Sequence, residues 1–358
     1  MTNRRYDIDW IRVIAIWFLL FYHVAIGFQP WGTLIGFIKH DPSLEGLYPF
    51  MSLLAVWRIP LLFFVSGMGV SFAMRKRTWV QLWKERARRI LLPFVFGSLT
   101  IVPIHIWLWR DYYHQDPLYQ PHPAHLWFLG NILLYVILLT PLFLYLKKNQ
   151  ENSVGKAISR FMGHPLSLIV LIIPFVLEAW LVNPEAFVLY AQTMHGFWLG
   201  LLAFLVGYLM VYAGLPFWDL LKRSRWILLG AALSFYLFRF FQFNLEAPNP
   251  LLSIESCLWV LAILGIGYRY LNQPHPALRY LSEAAYPVYI LHMAFLYLAS
   301  WILFPTAIPS WGAFLLVLLI TFAGSYGTFE IIKRIPWLRP LFGLRPAPKP
   351  FIVPETTI

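Results

Sequence analysis

Three ionisable side chains, Asp9, Arg12 and His23, interrupt an apolar run from Ile8 to Phe28. At about 100° and about 1.5 Å per residue, Arg12 and His23 share a helix face, about 16 Å apart along the axis. Asp9 lies three positions before Arg12 and joins that face. Ionisable groups at membrane depth are costly and mark functional paths. Histidine can take the proton of a hydroxyl whose oxygen attacks an acyl carbon, or act itself as the nucleophile. Arginine neutralises a phosphate or fixes a neighbouring carboxylate. The stripe therefore suits chemistry that joins a reactant at one membrane face to a reactant at the other. His23 is the candidate catalytic group, with Arg12 and Asp9 on its face. The plainer alternative is a core histidine satisfied by a hydrogen bond.

The elements that must carry this stripe follow from composition. The chain has 358 residues, 59% hydrophobic and 12% charged, with mean hydropathy +0.64. That exceeds what a soluble domain needs and predicts one all-α polytopic membrane domain. A crossing takes about 20 apolar residues, which predicts ten: 8–28, 50–73, 90–109, 126–146, 165–183, 195–213, 226–243, 251–271, 285–304 and 311–332. The first is expected to remain uncleaved. Of the 28 Lys and Arg residues, 23 fall in alternate loops or at the termini, which predicts both termini in the cytoplasm. Topology thus accounts for the net charge of +12 without nucleic acid. The single cysteine, Cys257, excludes a disulfide framework. Residues 336–358 form a short proline-rich tail, expected to be loosely ordered and cytoplasmic.

Once the spans are oriented, the polar residues inside them sort by depth. His23, Arg58, His105, His125, Glu178, His195, Arg239 and Glu255 fall in the outer half, and Asp9, Arg12, His292 and Glu330 in the inner half. A mixed polar ring opening outward suits a hydroxyl-rich acceptor such as a sugar. The basic inner face, with Arg86 and Arg89, suits a phosphorylated donor. The structural alternative is a set of interhelical ion pairs, Arg58 with Glu255 or Arg239 with Glu178. His122 and His125 have a loose metal-like spacing but no third ligand, so no metal centre is expected.

Five segments in order carry a family resemblance. Asp9-Trp-Ile-Arg12 followed by His23 resembles the arginine-x10-histidine signature of the membrane acyltransferase-3 family. Phe63-Phe-Val-Ser-Gly67, Arg86 to Arg89 with Leu-Leu-Pro93, His125-Leu-Trp-Phe128 and Tyr286-Pro-Val-Tyr-Ile-Leu-His292 resemble its later motifs. Asp9 to Ala15 and Pro30-Trp31 are most similar to a glucan-succinylating branch. The resemblance implies transfer of a succinyl or acetyl group from acyl-CoA to a periplasmic glucan or other glycan, in a bacterial inner membrane. Acyl-CoA would be a substrate rather than a bound cofactor. On this reading Arg86, Arg89 and Ser66 meet the donor. Arg58, Arg239, Glu255 and His292 meet the acceptor, and His23, Arg12 and Asp9 carry the catalysis. A glycan or lipid transporter, or the same chemistry on an exopolysaccharide or lipid-linked sugar, remains open.

Overall fold

The computed structural model describes residues 4–346; the rest of the proline-rich tail lies outside the described residues. Twelve α-helices follow in order: α1 (Tyr6–Ile26), α2 (Tyr48–Met74), α3 (Trp79–Arg86), α4 (Leu92–Tyr112), α5 (Trp127–Lys148) and α6 (Ser153–Met162). Then come α7 (Leu166–Val182), α8 (Met194–Ala213), α9 (Leu215–Phe243), α10 (Asn249–Tyr270), α11 (Pro276–Leu303) and α12 (Ser310–Arg334). No strand occurs among the described residues. The protein is all-α and polytopic. Among the described residues nine helices are long and apolar enough to cross a bilayer, and a tenth crossing exists if α6 and α7 count as one span bent by 93°. The bend falls at Gly163 and Pro165, and α6 carries Lys156 and Arg160.

Prolines shape the elements near the basic end. α3 runs into α4 through a π-helical turn, Ala87–Leu91, in which the Leu92 N–H reaches back to the Ala87 carbonyl. Pro93 follows; it has no N–H to offer the Arg89 carbonyl, so the widened turn sits where the regular ladder would break. Arg88 and Arg89 lie within that turn.

Small residues set the closest helix approach. A Cβ on Gly67 would sit 1.9 Å from the Phe204 carbonyl oxygen, and one on Gly207 2.1 Å from that of Phe64. α2 and α8 therefore meet backbone to backbone, the usual solution where lipid removes the hydrophobic drive between helices. Gly67 of the Ser-Gly segment is a packing residue.

The ends bearing most of the Lys and Arg lie together. Arg75 Nη2 donates to the Val211 carbonyl (2.8 Å) and Lys147 Nζ to that of Arg77 (3.0 Å). Arg5 stacks over Trp218 at 3.7 Å from its ring centre. The described part of the tail also packs here, contrary to a loosely ordered extension. Phe342 is buried edge-on to Phe96, and Arg339 pairs with Glu283 at 3.1 Å. α9 and α11 begin earlier than expected, at Leu215 and Pro276. Lys222, Arg223 and Arg225 are therefore helical rather than in a loop, and His292 lies past the middle of its helix.

Candidate functional site

Two parallel helices, α1 and α11, hold the polar stripe at both ends. At the basic end Arg12 Nη2 donates to Asp9 Oδ1 (3.1 Å) and Ser282 Oγ (2.6 Å). At the other end His23 Nδ1 lies 2.9 Å from His292 Nε2, with the rings stacked 5.1 Å apart. Eleven residues on α1 thus match ten on α11. His292 was expected at the inner depth and against the acceptor. Because α11 starts at Pro276, His292 instead stands level with His23, fully buried.

The hydrogen bonds assign the protons. His292 Nδ1 is 2.6 Å from the Tyr289 carbonyl. A carbonyl only accepts, so Nδ1 carries the hydrogen and neutral His292 presents a bare Nε2. His23 then donates through Nδ1, and its own Nε2 keeps a free lone pair. That is the arrangement of a general base whose tautomer is held from behind. His125 stands edge-on to His292 at 5.1 Å, with Nε2 3.1 Å from the Ile290 carbonyl, and His105 lies 5.6 Å beyond. Tyr289 Oη donates to the His125 carbonyl at 2.5 Å. Among the described residues no three His, Cys, Asp or Glu side chains converge as metal ligands do.

His23 forms part of the wall of a cavity of about 1370 Å3. The walls come from the C-terminal ends of α1, α4 and α9, the N-terminal ends of α2, α5 and α10, and α11. This is the end of the bundle opposite Arg75–Arg89. Tyr22, Trp31, Trp109, Trp127, Tyr289 and Tyr297 supply aromatic faces, and Gln120, Glu185, Glu246 and Asn249 supply polar groups.

The buried ions pair differently from either expected combination. Arg239 joins Glu255 through Nε (2.7 Å) and Nη2 (3.0 Å). Its other donors go to Ser52 Oγ and carbonyl and the Leu245 carbonyl. All five N–H groups of Arg239 are thereby used, so it has no donor left for an acceptor, and Glu255 is fully buried against it. Glu178 pairs with His195 at 2.9 Å. Among the described residues Arg58 is left without a carboxylate: it is buried, its Nε and Nη1 have no partner there, and its guanidinium lies 3.8 Å over the Tyr22 ring.

The basic end gathers Arg12, Arg86 and Arg89. Glu85 holds Arg89 at 3.3 Å and Arg77 at 2.6 Å. Arg86 Nε and Tyr286 Oη are buried without partners among the described residues. Ser66, expected with this group, donates within its helix to the Leu62 carbonyl (2.8 Å). Sequence reasoning missed Ser282, and it named Tyr286 and Tyr289 within the Tyr286–His292 segment without giving either a role. Their spacing of four and then three residues along α11 was the available signal.

A family description, acyltransferase domain, matches residues 5–330. The chain belongs to the acyltransferase-3 family. It is therefore a multi-pass membrane acyltransferase. Glucans biosynthesis protein C of Escherichia coli strain SMS-3-5 is 24% identical, over 97% of this chain and 96% of that one. The protein of the same name from E. coli O9:H4 strain HS has the same identity and coverage. No solved structure matches. The family match spans the stripe on α1, the basic turn before α4, His125 just ahead of α5 and His292 of α11 within a single acyltransferase domain.

Proposed function

We propose that this acyltransferase moves an acyl group, succinyl or acetyl, from acyl-CoA at the basic end to a hydroxyl of a periplasmic glucan or related glycan in the cavity. The carrying observation is the relay from His23 through His292 to the Tyr289 carbonyl, in the wall of an aromatic cavity at the end opposite the arginines. The basic end then faces the cytoplasm, in keeping with its Lys and Arg. Arg86, Arg89 and Tyr286 bind donor phosphates, and the pantetheine arm follows the seam between α1 and α11 from Arg12 to His23. Pyranose faces rest on the tryptophans while hydroxyls reach Glu185, Glu246 and Asn249. His23 Nε2 removes the proton of the attacking hydroxyl. His292 is a positioning residue, and Arg239 with Glu255 braces the wall.

The test is acyl transfer from labelled succinyl-CoA and acetyl-CoA to envelope glucan by purified protein in nanodiscs. Mass analysis of envelope glycans from deletion and wild-type cells accompanies it. Label on the glucan, and its loss from the deletion strain, is expected. Glycan translocation without acylation would overturn the reading in favour of a transporter.

A further inference from the structure

Arg239 and Arg58 are both buried arginines whose side chains reach the same cavity, 1% and 4% exposed respectively. The fold treats them oppositely. It gives Arg239 a carboxylate and fills all five donors. Among the described residues Arg58 receives no carboxylate, and its enclosed Nε and Nη1 have no acceptor. A buried cation without a counter-charge is among the least favourable groups in a protein, and the ring of Tyr22 offsets only part of that burial. Its position is also built. Pro60 removes an N–H from α2, so the Val56 carbonyl loses its helical partner. Tyr190 Oη, itself in the cavity wall, donates to that carbonyl at 3.2 Å and to Ala55 at 3.3 Å. Tyr22, under the guanidinium, precedes His23 in the chain, and Arg58 and His23 line the same cavity.

We propose that Arg58 is a catalytic residue that receives the negative charge formed on the acyl oxygen during transfer at His23. This rests on the acyl-transfer reading and adds to it the group that stabilises the tetrahedral intermediate. The glycan oxygen bonds to the thioester carbonyl carbon, and its proton passes to His23 Nε2. The carbonyl π pair moves onto oxygen, and that oxyanion meets the free N–H groups of Arg58. On collapse the C=O bond re-forms, the C–S bond breaks, and the thiolate of CoA takes the proton from His23. Ester and free CoA result, with no other reactant. A cation kept unpaired until charge develops favours the transition state over the ground state, which is what raises turnover.

The experiment compares wild type, Arg58→Gln and Arg58→Lys with succinyl-CoA and acetyl-CoA in nanodiscs, with thermal unfolding of each protein. Loss of one oxyanion donor typically costs about 10²–10³-fold in turnover. Arg58→Gln should lose about 10²-fold in kcat with both donors while KM for acyl-CoA stays within about threefold. Arg58→Lys should retain more kcat than Gln, because it keeps the charge. If the Gln variant does not accumulate, Arg58→Lys carries the test with an expected loss of about tenfold in kcat. Near-normal kcat in a folded variant overturns the proposal and leaves Arg58 structural. A loss confined to succinyl-CoA overturns it too, since Arg58 would then read the acyl carboxylate. Wild-type protein inactive with both donors overturns the parent reading and the proposal with it.

Discussion

His23 and His292 are bonded nitrogen to nitrogen, yet they do different work. His23 lines the cavity, and His292 is sealed behind it with its Nδ1 committed to a backbone carbonyl. A general base contributes about 10²–10⁴-fold. His23→Gln should therefore lower acyl transfer at least about 10²-fold, with protein level and donor affinity little changed. Near-normal turnover in folded protein would remove His23 from the chemistry. His292→Phe keeps a ring of similar size but offers His23 Nδ1 no acceptor. Loss of the group that orients a catalytic histidine costs up to about 10⁴-fold in a serine protease. A fall of about 10²-fold or more in kcat, at unchanged donor KM, is expected here. His292→Gln restores an acceptor oxygen and should recover part of the rate. Equal loss in both variants would point to packing alone.

At the level of elements, helix starts and turns decide what each motif can reach. The π-helical turn before Pro93 carries Arg89, whose carbonyl and the Tyr286 ring both pack around Gly343, at the basic end of the bundle. If these arginines meet phosphate, the double variant Arg86→Gln, Arg89→Gln should raise KM for acyl-CoA about tenfold or more with a smaller change in kcat. An unchanged KM would leave them as signals of topology. The α9–α10 pair has a different duty. Its Arg239–Glu255 bond is enclosed, so Glu255→Ala strands a buried guanidinium at a cost of about 3–5 kcal/mol. Thermal unfolding in detergent should show this as lower stability. A stable variant with raised KM for the glycan would instead make Glu255 an acceptor contact.

For the whole molecule, alternating helix ends put the cavity and the basic cluster on opposite faces. If the basic face is cytoplasmic, single cysteines introduced within 110–124 should react with an impermeant maleimide in sealed cells, and those within 75–89 should not. Cys257 is buried, so the native background should be low. Labelling of the 75–89 segment would invert the orientation and with it the assignment of donor and acceptor sides.

The membrane class, nine of the ten expected crossings in outline and the Arg12–His23 face were legible in sequence. They follow from local properties: run length, the 3.6-residue period and the cost of charge in lipid. The arginines before Pro93 were visible for the same reason, as a dense cluster at a span boundary. Partnership was not visible. Glu255 is sixteen residues from Arg239 but 197 from Arg58, and only the packing of α9 against α10 made the nearer pair. The same packing denied Arg58 a carboxylate. His292 looked too shallow and too separate because its helix begins at Pro276, a boundary that hydropathy blurs. Its bond to His23 joins residues 269 apart in the chain. Ser66 shows the converse: a motif residue whose hydroxyl turns back on its own helix while the neighbouring Gly67 sets the approach of α8. Sequence period determines which face a side chain occupies. Only the three-dimensional arrangement of helices decides what that face meets, because the contact energies come from residues far away in the chain.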